Sequence, residues 1–261
     1  MKPDEMLAAF HAQIRLNDKD AEATNIVERD GPVHRNYPEN PAKPGAMIES
    51  PEGLGDDPDR WISRQRDFFA GRGQAVEWKT YGYDEPADLG ARLSAHGFVA
   101  DDVEALILGE LTALADQPVV IPEGVRLRAT TAEDLPGVMA LFEAVWPGTS
   151  WVTESHFEEL AAVPELMHGC LVEREADGLV LTASWVRLTE GTDFAGLWGG
   201  STRPEWRRRA LYRASVAYRA RLALDRGYRL ARVDASPNSR PILTRLGLHQ
   251  VSTTTPYRLT T

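Results

Sequence analysis

Apolar side chains along the 261-residue chain recur in some stretches at every second position and in others at every third or fourth. These are the spacings of half-buried strands and of amphipathic helices. From residue 125 the pattern predicts a strand at 125–131 and a helix at 131–146, opened by Thr131 with Glu133 and Asp134 in its first turn; a second helix follows at 154–166. Strands come next at 170–174 and 179–188, hinged on the Asp177-Gly178 turn, and then at Phe194–Thr202. Leu211, Ala214, Ala217, Tyr218 and Leu222 keep helical spacing up to Gly227. A strand at 228–235, a short helix at 240–246 closing at Gly247 and a β-branched strand at 251–257 complete the order β-α-α-β-β-β-α-β-α-β.

The first half is less regular. A helix at 3–16 presents Met6, Ala9, Phe10 and Ile14 on one face, and residues 30–59 are dense in Pro, Gly, Asn and Asp, with strand-like islands only at Val33–Tyr37 and 46–48. Then a helix ending at Arg72-Gly73, a strand at 75–82, a helix at 86–96 closing at Gly97 and a strand at 104–111 repeat the order of the chain's last elements. An internal duplication is the economical reading. Gln117-Pro118 and Pro122-Glu123-Gly124 mark the expected joint between a shortened domain at 1–118 and a second at 119–261.

A formal net charge of -10 disfavours nucleic-acid and anionic-membrane partners. The single cysteine, Cys170, cannot form an internal disulfide and sits in an apolar strand. No apolar run approaches the ~18 residues a membrane span needs, and no signal-peptide core opens the chain, so the expected residence is cytoplasmic. The six histidines show no ligand spacing, so no metal is expected.

Candidate chemistry concentrates where the strand Phe194–Thr202 turns through Arg203, Pro204, Glu205, Trp206, Arg207, Arg208, Arg209 and Ala210 into the helix beginning at Leu211. Helix-start amides lack intrahelical partners and sit at the positive end of the macrodipole, so an anion can dock there, with arginines adding charge and forked donors. The same residues also read as a capped helix, with Thr202 and Glu205 as a capping box and Pro204 in the first turn. In the first half, residues 51–57 take the corresponding place with Gly53, Gly55 and acidic side chains that would repel a diphosphate, so one anion site per chain is expected.

This segment resembles the signature of GCN5-related N-acetyltransferases, a strand followed by R-x-x-G-x-G opening a helix. Arg207 matches the first position; Ala210 stands at the first glycine, Tyr212 at the second, and Arg208 replaces a frequent glycine. A second stretch, 239–248, resembles the family's element after the fifth strand, with Ser236 at the usual asparagine, Ser239 at the usual alanine and Leu243 at the tyrosine that commonly acts as an acid. The resemblance implies an α/β (α+β) acyl-CoA N-acyltransferase fold, a mixed central sheet flanked by helices, in tandem arrangement. It implies acetyl-CoA as cofactor, held by Gly200, Ser201, Thr202, Arg207, Arg208, Arg209, Ala210, Leu211, Tyr212, Ser236 and Ser239, and transfer to a primary amine of a small molecule. Asp193 or Glu143 is the expected base and Tyr257 the substitute acid, with Trp146, Trp151 and Tyr257 lining the acceptor pocket of a monomer or homodimer. The alternative is a non-catalytic acyl-CoA-binding or regulatory module. Transfer from an aminoacyl-tRNA by a tandem transferase is a third reading, opposed by the acidic charge.

Overall fold

The computed structural model describes residues 1–19, 21, 24–148 and 150–260, those at 150–153 for their backbone alone. It divides into two compact units, one of residues 1–107, 234–241 and 250–261, the other of 108–233 and 242–249.

The first unit contains α1 (Pro3–Gln13), β1 (Ile26–Asp30), β2 (Val33–Tyr37), β3 (Met47–Glu49), α2 (Pro58–Arg72), β4 (Val76–Tyr81), α3 (Leu89–Ala95) and β5 (Val99–Ala100). It also takes nearly all of the last strand, β12 (His249–Leu259). β2 lies antiparallel to β1 on one side and to β3 on the other, β3 and β4 are parallel with α2 as the crossover, and β12 lies antiparallel to β4. The Asp57 side chain starts α2 by accepting from the Arg60 amide at 3.3 Å, and Ile48, Ile62, Phe69, Trp78 and Leu93 form its dry core. Just beyond α1, Arg15 is buried between two carboxylates, its Nε 2.9 Å from Glu49 and its Nη1 2.7 Å from Asp84, with the guanidinium 3.9 Å from the Tyr81 ring centroid. Such a cation is tolerated in the core only because it is paired and hydrogen-bonded.

The second unit contains α4 (Leu111–Ala115), β7 (Val125–Ala129), α5 (Leu135–Val145), α6 (Ser150–Ala162), β8 (Met167–Arg174), β9 (Val180–Leu188), β10 (Phe194–Thr202), α7 (Leu211–Asp225) and most of β11 (Leu230–Ala235). Here β7, β8, β9 and β10 form an antiparallel run, and β10 and β11 are parallel with α7 as the crossover. Thr131 opens a 3₁₀ turn, Ala132–Asp134, its amide donating to Asp134 at 2.7 Å, and α5 follows from Leu135, later than the expected start. Val138, Leu141, Phe142 and Phe157 from α5 and α6 pack on Leu171, Ala183 and Trp185, while Leu211 of α7 packs with Val172 and Leu181.

Each unit is therefore an antiparallel run that ends in a parallel pair bridged by a 15-residue helix. The unit boundary passes through β6 (Glu104–Glu110), β11 and α8 (Arg240–Arg245), so the compact units are not the stretches 1–118 and 119–261. The reason is β12: it completes the first unit's sheet instead of closing the second. Among the described residues no helix is long and apolar enough to cross a membrane.

Candidate functional site

The capped-helix reading does not describe the β10–α7 junction. Pro204–Trp206 is a single 3₁₀ turn, α7 starts only at Leu211, and Thr202 Oγ1 lies 3.0 Å from Thr182 Oγ1 instead of capping a helix. Residues 207–210 form a loop in which Arg208 and Ala210 have φ of 62° and 63°. Left-handed backbone costs a side-chain-bearing residue about 1–2 kcal/mol, so this loop holds the shape a glycine motif gives without the glycines. Two anchors pin it. The Arg203 amide and Nε donate to Leu181 O and Val180 O at 2.9 and 2.8 Å, and Trp206 packs on the Leu181 and Leu211 cluster, with the Arg209 guanidinium 4.6 Å from its ring centroid.

Ala210, the residue that starts α7, offers no side-chain cap, and among the described residues no acceptor meets the amides of 208–213. Arg207, Arg208, Arg209 and Arg213 are exposed, and no carboxylate among the described residues pairs with them. Arg207 Nε instead donates to Thr202 O at 3.3 Å. Free amides, a helix N-terminus and guanidinium groups without carboxylate partners are the donors that an anion needs.

Upstream of the loop, β10 separates from β11. The parallel pairing covers only Phe194–Gly196 against Leu230, Ala231 and Arg232, while pairing with β9 continues to Thr202 through a one-residue bulge between Trp198 and Ser201. Gly199 turns the bulge with φ 61°, and a Cβ there would come within 2.5 Å of the Trp185 ring. On the opposite face a Cβ at Gly200 would lie 2.5 Å from the Tyr212 ring, so Tyr212 is turned onto the sheet. Burial, partly opposed by the nearby Arg219 cation, raises the Tyr212 phenol above its ordinary range. The α5 side of the splay is aromatic: Arg232 lies 5.1 Å over the Trp198 ring, His156 stacks on Trp185 at 5.3 Å, and Trp146 Nε1 donates to the buried Ser201 Oγ at 3.0 Å.

The expected site residues therefore separate into groups. Gly200, Ser201, Thr202 and Arg207–Tyr212 converge at the junction. Glu143 lies in the last turns of α5, exposed, accepting from the Gly148 amide at 3.1 Å, next to Phe142, whose ring would be 3.5 Å from a Cβ at Gly199. Asp193 stands before the opposite end of the nine-residue β10, roughly 25 Å of strand from the loop, and is held by Arg229 at 2.8 Å; that pair fixes the β10–β11 start. Tyr257 belongs to the first unit, in contact with Gly90 and the Trp78 core. Ser236 and Ser239 also fall in that unit, where Ser236 O accepts from the Ser239 and Arg240 amides at the start of α8. Leu243, at the acid's position, is fully buried. The Trp151 side chain lies outside the described residues. The sequence pattern did not single out Arg219, although it stands four residues after Ser215 on the buried face of α7.

No protein-family model matches the sequence, and no curated protein matches it. Solved structures do. A GCN5-related N-acetyltransferase from Kribbella flavida is 17% identical, with 97% of this chain and 95% of that one covered and a TM-score of 0.72. A tandem GNAT protein from the clavulanic acid biosynthesis pathway is 14% identical, with 98% and 95% covered and a TM-score of 0.65. A GCN5-related N-acetyltransferase from Sphaerobacter thermophilus is 15% identical, with 87% and 76% covered and a TM-score of 0.60. The fold is that of the GCN5-related N-acetyltransferases, a mixed sheet flanked by helices.

Proposed function

We propose that the chain transfers an acetyl group from acetyl-CoA to the primary amine of a small molecule in the cytoplasm, as two GNAT-like repeats, 1–118 and 119–261, with one cofactor site in the second. The observation that carries this reading is the left-handed pair Arg208 and Ala210 beneath unpaired helix-start amides. A loop that keeps a strained backbone after losing its glycines points to retained anion binding.

In this reading the amides of 208–213 with Arg207, Arg208, Arg209 and Arg213 grip the diphosphate, and the Gly199–Gly200 bulge leaves backbone open beside the reacting group. Bound acetyl-CoA supplies an activated thioester. Glu143, the exposed carboxylate next to Phe142 near the end of α5, takes the proton from the amine. The exposed loop edge of β10 past Gly196 offers main-chain donors for the carbonyl oxygen. Isothermal titration with acetyl-CoA tests the reading: saturable binding well below millimolar is expected, and none at millimolar would remove it.

A non-catalytic acyl-CoA-binding module is the second reading, favoured by buried Leu243 and by the structural engagement of Asp193 and Tyr257. Amine-dependent release of free CoA across an acceptor panel separates the two, because a sensor binds without turnover.

A further inference from the structure

Behind the bulge, on the α7 side of the sheet, lies a buried cation. Arg219 is 1% exposed; its Nη1 donates to Trp185 O at 2.7 Å and to Trp198 O at 3.2 Å, and its Nε to Ser215 O at 3.2 Å. Among the described residues no carboxylate pairs with it. The titratable groups that act on it are the Cys170 thiol and the Tyr212 phenol, and burial pushes both upward, so both are neutral near pH 7. Burial pulls the guanidinium itself down, yet an arginine keeps its proton in protein interiors.

We infer that Arg219 is a positioning residue that clamps the Trp198 end of the bulge and, through its uncompensated charge, stabilises negative charge forming on the sulfur of an acyl-CoA donor bound there. The inference rests on the acyl-CoA reading above. The two strand carbonyls that Arg219 Nη1 engages belong to the β9–β10 rung where regular pairing stops, so the guanidinium fixes the point at which the strand leaves its ladder. A buried charge is costly unless something uses or offsets it. Here backbone carbonyls solvate the cation without neutralising it, which leaves a net positive potential under the bulge.

The chemistry needs such a potential. When the amine nitrogen bonds to the acyl carbon, the carbon–sulfur bond breaks, the electron pair goes to sulfur, and the amine's proton leaves to a base. A free thiol ionises near ~8.5, and the side chain at the family's acid position is Leu243, which has no proton to give. A fixed cation helps the sulfur to leave as thiolate.

The test needs no acceptor. CoA, the free thiol, is bound to the wild-type protein, to R219K and to R219Q, with binding followed by calorimetry and folding by circular dichroism. Thiolate formation is read from ultraviolet absorbance against pH, with the protein's own titration subtracted. The expected result is about tenfold more thiolate on wild-type-bound CoA than on free CoA at the same pH, from a cation near an ionising group. R219K should keep most of that gain. R219Q, which can still donate to the carbonyls, should lose it while binding CoA within about threefold of wild type. Bound CoA ionising like free CoA in the wild-type protein, or equally in R219Q and wild type, overturns the inference and leaves the acyl-CoA reading standing. A wild-type protein that binds no CoA removes the acyl-CoA reading itself.

Discussion

Arg208 and Ala210, two positions apart, share a left-handed backbone at φ 62° and 63° with Arg209 between them. The strain is local and separable. Replacing Ala210 by glycine removes the steric cost and adds only the unfolded-state entropy of glycine, so A210G should be more stable by about 0.5–1 kcal/mol. Ala210→Val, β-branched at the same φ, should lower stability and weaken acetyl-CoA binding together. Differential scanning calorimetry with and without the ligand reads both.

Charge reversal at the loop tests the anion site. Arg209→Glu should weaken acetyl-CoA binding by tenfold or more, on the order expected for two unit charges a few ångströms from a phosphate near the surface. Arg226→Glu, at the far end of α7, should leave the dissociation constant unchanged. Titration calorimetry at low and moderate salt separates these outcomes, because only the loop effect should shrink with added salt.

The buried Arg15 offers a stability test in the first unit. Arg15→Met leaves Glu49 and Asp84 without their shared cation, and breaking a buried pair in this way costs about 3–5 kcal/mol. Urea unfolding should show a loss of that size. A loss below about 1 kcal/mol would mean that water reaches the two carboxylates.

Glu104 gives a pH signature. Burial, reinforced by Asp234 and opposed by Lys79, with Glu77 and Asp101 adding further negative charge, pushes its carboxyl up to about 7. Lys79 is itself ion-paired with Asp234. In the unfolded chain a glutamate ionises near ~4.3. The folded state therefore holds a proton that the unfolded state releases, so the favourable contribution is complete below the unfolded value and disappears as pH rises through about 7. Glu104→Gln should match wild type at pH 4 and exceed it by about 1 kcal/mol at pH 8, an amount reduced for solvent screening of a partly exposed group. Denaturant midpoints at the two pH values check the sign.

The sequence made the element order legible because period and turn chemistry are local: Thr131, the Asp177-Gly178 turn and Gly227 do in the fold what their residue types imply. The β10–α7 loop stood out through arginines at a strand–helix junction, although the helix starts later than the Thr202 and Glu205 spacing suggested, because Thr202 is engaged by Thr182. Long-range choices left no local mark. Whether Asp193 faces a substrate or Arg229, whether Tyr257 serves the second unit or packs in the first, and whether Arg219 meets water or two carbonyls are each decided by strands distant in sequence. Arg15 was hidden for the same reason, since its carboxylates lie far along the chain.

The place of β12 has a consequence for biogenesis. Thr80 on β4 donates to the carbonyl of Thr255 across 175 positions, so a ribosome must add all the residues between them before the second partner of β4 exists. Until then β4 exposes an unpaired edge above an apolar layer, the state most open to mispairing with a neighbouring nascent chain. Emergence of β12 is the event that lets the first unit's sheet close.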